Sequence, residues 1–115
     1  MSRNGQTLSD SLKDFVVSHP DGWGHGDWEE FLHDLKRKDL DTADEVAIGA
    51  ALEREHLLAK LDRASVKGLG PKRRSVLADR FGRLWDLQQA SAEDVAREGG
   101  LPQPLAEELL RVIRQ

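Results

Sequence analysis

The sequence predicts an all-α protein, and three observations carry that prediction. Apolar residues recur at helical spacing through most of the chain, capping residues stand ahead of several of those runs, and no segment alternates apolar and polar residues as a half-buried strand would. At 115 residues the chain makes one domain or two very small ones, with a modest core.

The elements follow in order. Thr7 and Asp10 stand at capping-box spacing around Leu8, Leu12, Phe15 and Val16, which share one face, and His19-Pro20 ends that run, so a first helix is expected over about 8–18. Pro20-Asp21-Gly22-Trp23-Gly24-His25-Gly26 reads as a glycine-rich turn. Asp27 then caps, with Glu30 at the third helical position, and Trp28, Phe31, Leu32 and Leu35 form a narrow apolar face on a second helix over about 28–38. The capping box Thr42-Ala43-Asp44-Glu45 opens the longest helix, about 43–62. Its apolar arc is expected to comprise Val46, Ala47, Ala50, Ala51, Leu57, Leu58 and Leu61, with Ile48 and Leu52 flanking it. An arc that wide meets two neighbours, so this helix should join an acidic three-helix front to a basic back in one continuous body.

Composition narrows the function. Apolar residues make up 38% and charged ones 33%, and no apolar run approaches the roughly eighteen residues of a membrane span. Zero cysteines exclude disulfides, thiolate catalysis and cysteine-ligated metals. Met1 to Thr7 is polar, without an export or import pattern, and a cytoplasmic location is expected. The net charge of −4 is unevenly spread: residues 1–62 balance to −7, whereas residues 63–83 hold Arg63, Lys67, Lys72, Arg73, Arg74, Arg80 and Arg83 against Asp79 alone, for +6. Residues 84–115 return to −3. A cationic stretch inside an acidic chain points to a polyanionic partner at that stretch.

The most informative segment lies there, Val66-Lys67-Gly68-Leu69-Gly70-Pro71-Lys72-Arg73-Arg74. Two glycines flank one apolar residue in a tight turn, proline takes the first helical position, and three cations fill the first helical turn. Cations at a helix start oppose the dipole and gain nothing in helix stability there, whereas a phosphate at the same helix end gives them a role. The helix then continues through Val76, Leu77 and Phe81 to Gly82 as C-cap. The same turn would also serve as a plain helix–helix connection.

Gly68-Leu69-Gly70-Pro71-Lys72-Arg73 is similar to the hairpin of a helix-hairpin-helix DNA-binding motif. The longer segment Ala64 to Leu84 resembles the first hairpin of the tandem domain that ends the bacterial excinuclease C subunit and the eukaryotic excision-repair endonucleases. In that family a connector helix and a second hairpin follow. Here Leu84-Trp85-Asp86-Leu87 supplies the connector, Ser91-Ala92-Glu93-Asp94 a cap, and Gly100-Leu101-Pro102 a second hairpin before Leu105, Ala106, Leu109, Leu110 and Ile113. Gly68 and Gly100 are 32 positions apart, an internal repeat. The resemblance covers about residues 55–115, leaving 1–54 as an acidic helical region without an assigned role. It implies an all-α tandem helix-hairpin-helix domain and sequence-independent DNA binding in repair or recombination. Lys67, Gly68, Leu69, Gly70, Lys72, Arg73 and Arg74 are the expected contact residues, with the Gly68, Leu69 and Gly70 backbones as donors. It also leaves open a protein-interaction or dimerisation module, since tandem hairpins dimerise in the endonucleases, and the acidic front suits a basic protein partner.

One departure separates the two hairpins. Pro102 stands where the first has Gly70, and Gln103-Pro104-Leu105 replaces Pro71-Lys72-Arg73, so the proline has no N–H to offer and no cation sits at that helix start. Glu93, Asp94, Glu98, Glu107 and Glu108 surround it. DNA contact is therefore expected mainly at the first hairpin.

Other chemistry is poorly supported. Glu30-x-x-His33 and Glu53-x-x-His56 have the spacing of di-iron carboxylate bundles, with His19 and His25 nearby. On a helical wheel, however, Glu30 and His33 fall opposite the apolar face, and Glu53 and His56 share a polar face with Lys60 and Gly49, so solvated faces are expected and no metal or cofactor. Gly22-x-Gly24-x-Gly26 follows no strand and reads as a turn rather than a dinucleotide site. Phe81 and Trp85 are expected in the core rather than stacked on bases. No residue set to carry catalysis is visible, and the chain is expected not to be an enzyme.

Overall fold

A computed structural model describes residues 7–114; the remainder of the N-terminal stretch read above, Met1 to Gln6, and the last residue of the expected 55–115 unit lie outside the described residues. Helix α1 (Leu8–Ser18) starts as its box dictates: the Thr7 hydroxyl accepts from the Asp10 N–H at 3.1 Å while the Asp10 carboxylate accepts from the Thr7 N–H at 3.2 Å. Helix α2 (His25–Arg37) begins earlier than expected. Gly24 is its cap and Asp27 its third residue, the Asp27 carboxylate accepting from the Gly24 N–H at 3.1 Å. An acid three residues into the helix supports a start just as an acid at the cap does, and the spacing of Asp27 and Glu30 fitted the wrong register. Gly26 thus lies inside the helix, not in the turn.

Helix α3 (Glu45–Ala64) is capped by Asp44, whose carboxylate accepts from the Ala47 N–H at 3.0 Å, so the Thr42 box is not the start used. Its buried residues are Ile48, Leu52, His56, Leu57 and Leu61, while Val46, Ala47 and Ala50 are exposed, which reverses the expected arc over the first two turns. The reason is a change of face. At about 100° per residue, Ile48, Leu52 and His56 lie on one side, and Leu57 and Leu61 on nearly the opposite side. Ile48 and Leu52 pack with Leu12, Val16, Phe31, Leu32 and Leu35; Leu57 and Leu61 pack with the back half of the chain.

The back half comprises α4 (Pro71–Phe81), α5 (Leu84–Gln89), α6 (Ala92–Gly99) and α7 (Gln103–Ile113), so the described residues form seven helices and no strand. Pro71 opens α4 and Gly82, at φ +76°, closes it; Ser91 caps α6 by accepting from the Asp94 N–H at 3.1 Å. The 32-residue repeat reappears as matched buried pairs: Leu69 with Leu101, Leu77 with Leu109, and Ala78 with Leu110. A mixed set of bonds unites front and back. Arg54 Nε meets Asp79 at 2.8 Å and its Nη2 meets Ser75 at 3.2 Å, and His56 Nε2 donates to the Pro20 carbonyl at 3.1 Å beneath the edge of Trp23. His56 is therefore buried at 8% exposure rather than on the expected polar face, because Pro20 and Trp23 fold back over it. The radius of gyration, 15.5 Å against about 13 Å for a compact chain of this length, reflects two cores strung along one helix. No helix among the described residues is long and apolar enough to cross a membrane.

Candidate nucleic-acid interface

Ser65, in the left-handed region at φ +50°, ends α3, and the chain then turns through Lys67 and Gly68. Val66 and Leu69 are buried on either side, pinning the turn to the core, and the Leu69 N–H closes it on the Val66 carbonyl at 3.1 Å. That bond removes Leu69 from the expected set of free donors. Its side chain is an anchor, and its N–H is spent.

The two glycines differ. Gly68 sits at φ +92°, a conformation that side chains rarely adopt, whereas Gly70 is extended at φ −77° with open space where a Cβ would stand. Gly68→Ala is therefore expected to cost about 1–3 kcal/mol of stability by strain alone, read by chemical denaturation, while the backbone at Gly70 accepts a side chain without strain.

Gly70 caps α4 without a side-chain acceptor, and no acid stands in the first turn. Among the described residues, the N–H groups of Gly68, Gly70, Lys72 and Arg73 have no acceptor; the ladder begins with the Arg74 N–H on the Gly70 carbonyl at 3.0 Å. Four backbone donors are thus left open along one turn and helix start, the same segment that carries the cations. Lys67 and Lys72 are exposed and have no ion partner among the described residues. Arg73 is exposed too, but its Nη1 donates to the Gly68 carbonyl at 2.9 Å, bracing the turn. Arg74 is drawn aside, its side chain only 22% exposed and its guanidinium bonded to Asp62 on α3 at 2.9 Å. Neither tie was visible in the sequence, because each depends on how the turn folds back rather than on helical spacing.

The second turn has the same path and different chemistry. Gly100, at φ +65°, and Leu101 both give their N–H groups to the Ala96 carbonyl, Pro102 and Pro104 have none, and the Leu105 N–H is taken by the Pro102 carbonyl at 3.1 Å. Only the Gln103 N–H is left without an acceptor among the described residues. The nearby arginines are committed: Arg97 to Asp94 and Arg111 to Glu108, whose carboxyl the Arg111 hydrogen bond holds below its ordinary range. Trp85, expected in the core, is 60% exposed, with the Arg83 guanidinium 5.8 Å from its ring; Phe81 does pack on the core. Glu30 and His33 are exposed, as expected, and the described residues contain no cluster of three metal-ligating side chains.

No family model and no solved structure matches the chain. Among curated proteins, UvrABC system protein C of Ectopseudomonas mendocina (strain ymp) is 50% identical over 42 residues, 36% of this chain and 7% of that protein. The chain resembles UvrABC system protein C. The counterpart from Klebsiella pneumoniae (strain 342) is 32% identical over 78 residues, 68% of the chain and 13% of the relative, and that from Coxiella burnetii (strain RSA 493 / Nine Mile phase I) is 42% identical over 50 residues, 44% and 8%. The chain therefore spans only a small part of the UvrABC system protein C sequences it matches, from 7% to 13% of their length in these three. A match of 78 residues does not fit within residues 55–115, so the likeness to UvrABC system protein C reaches further into the acidic half than the hairpin motifs alone suggested.

Proposed function

We propose that the chain is a binding module for DNA, acting without sequence preference and without catalysis of its own. The resemblance to UvrABC system protein C favours a place in DNA repair. The observation that carries this reading is that four backbone N–H groups, at Gly68, Gly70, Lys72 and Arg73, have no acceptor among the described residues, along the same turn and helix start as Lys67 and Lys72, which have no ion partner among those residues. A phosphate oxygen seated there accepts from the backbone, meets the positive end of the helix and relieves the mutual repulsion of the cations. Contacts of this kind carry no base information, hence the lack of sequence preference.

Binding to duplex, single-stranded and branched DNA, followed by fluorescence anisotropy at several salt concentrations, tests this. With Lys67, Lys72 and Arg73 each neutralising one phosphate, log affinity for duplex should fall against log salt with a slope near −2.7, at about −0.9 per contact. A salt-independent affinity, or none, sinks the reading.

The two turns are expected to respond unequally. Gly70→Val keeps the N–H but sets a branched side chain where phosphate approaches, and should weaken DNA binding at least about tenfold, or ~1.4 kcal/mol, while the helices persist. Gln103→Glu changes the charge at the second turn and should lower affinity less than about threefold, through repulsion screened beyond ~8 Å at physiological salt. Equal losses would mean that both turns hold the backbone.

A further inference from the structure

Helix α3 presents a second surface that neither its own core nor the DNA reading uses. Val46, Gly49, Ala50 and Glu53 follow the i, i+3, i+4, i+7 spacing of a single helical face. Four residues further on, the same face carries Leu57 and Leu61, fully buried beneath the back half of the chain. In the first two turns of α3 that face is bare: Val46 is 84% exposed, and Ala50 is exposed beside it. The bare stretch forms the floor of a groove of about 400 Å³, walled by Trp23 and Trp28 and ending at Gly82, where α4 stops. Gly49 adds no side chain to the floor beside the Trp28 ring. The groove is thus the continuation of the seam in which α4 packs on α3, emptied where α4 ends.

The rim selects the occupant by charge. Glu45 and Glu53 border the groove and enter no salt bridge among the described residues. The one cation on the rim, Arg83, is held by both oxygens of Asp86 at 3.2 Å, with Glu53 adding a weaker field. Residues 1–62 as a whole balance to −7. An amphipathic helix laid into the groove would therefore be matched by apolar side chains toward Val46 and Ala50 and by lysine or arginine toward Glu45 and Glu53.

We propose that this groove docks a basic amphipathic helix of a partner protein, in line with α4, at a site separate from the Lys67–Arg74 turn. The test uses the whole chain and two fluorescein-labelled eighteen-residue model peptides that share one leucine face, with lysine on the polar face of one and glutamate on the other. Anisotropy should show the lysine peptide binding at least tenfold more tightly than the glutamate peptide. Val46→Asn and, separately, Ala50→Asn, both at exposed positions and neutral in charge, should each weaken it at least tenfold with an unaltered circular-dichroism spectrum. Glu45→Gln with Glu53→Gln should narrow the difference between the peptides. DNA affinity should be the same in the two asparagine variants and should change less than about threefold in the glutamine pair, through screened charge alone. Four results overturn the proposal: equal binding of the two peptides; lysine-peptide binding that survives Val46→Asn and Ala50→Asn, which would be general charge attraction; a dimer in sedimentation that Val46→Asn disperses, which would make a second copy the occupant; or loss of DNA affinity in Val46→Asn, which would place the groove on the DNA surface.

Discussion

Reversing the charge of Lys67 and Lys72 together, as Lys67→Glu with Lys72→Glu, is expected to reduce duplex affinity at least about 100-fold, or ~2.7 kcal/mol, with an unaltered helical spectrum and a Tm within a few degrees of wild type. Both ammonium groups are exposed and without an ion partner among the described residues, so no folded-state contact is lost with them. Glutamate in the first turn of α4 suits the helix dipole better than lysine does, which protects stability. The loss comes instead from two phosphate contacts removed and two repulsions introduced beside the same helix end. Arg73 is left in place deliberately: its bond to the Gly68 carbonyl braces the turn, and reversing it would mix fold with binding. Wild-type affinity in the double variant would return the cations to a merely solvated face, and unfolding would show that they support the turn.

The largest effect on stability is expected where α6 crosses α4. Gly99 is buried, and a Cβ placed on it would stand 2.6 Å from Leu77 Cδ2 and 3.3 Å from Leu77 Cγ. Leu77 is fully buried, so any shift it makes has to be taken up inside the core. Gly99→Val should therefore cost about 1–3 kcal/mol by overpacking. Leu77→Ala should cost about 2–5 kcal/mol by leaving a cavity. Combined, the larger residue at 99 enters the space vacated at 77, so the pair should cost less than the sum of the singles by more than about 1 kcal/mol. Strict additivity in urea denaturation would mean that the two helices do not meet at this point.

The contrast between Gly68, Gly70 and Gly99 shows how far the residues could be read in order. A tight turn before α4 was legible from Gly68-Leu69-Gly70-Pro71 alone, because the proline and glycine constraints are local to the backbone. Which glycine is conformationally required was not, since both fit a turn and only the folded path puts Gly68 at φ +92° and Gly70 in the extended region. Gly99 attracted no attention in the sequence, its role being set by a leucine 22 positions away. The position of Leu69 within the glycine pair points to a free donor, whereas the folded turn spends that N–H in closing on Val66.

What the sequence determined by itself is what depends on neighbours within about four residues: the helical class, the Thr7, Pro71 and Ser91 helix starts, the Gly82 stop, the cationic stretch at residues 63–83, and the missing N–H groups of Pro102 and Pro104 and the missing cation at Pro102-Gln103-Pro104. Caps, proline and glycine constraints and charge counts are properties of the local chain, and tertiary packing had little freedom to alter them. The tertiary structure alone decided which side of α3 is buried, that His56 lies beneath Trp23 on the Pro20 carbonyl, and that Arg74 leaves the cationic cluster for Asp62. Helix α3 is apolar around most of its circumference over residues 46–52, so its own periodicity does not choose a face; the choice falls to the helices that arrive from either side, and the face left over is the groove at Val46.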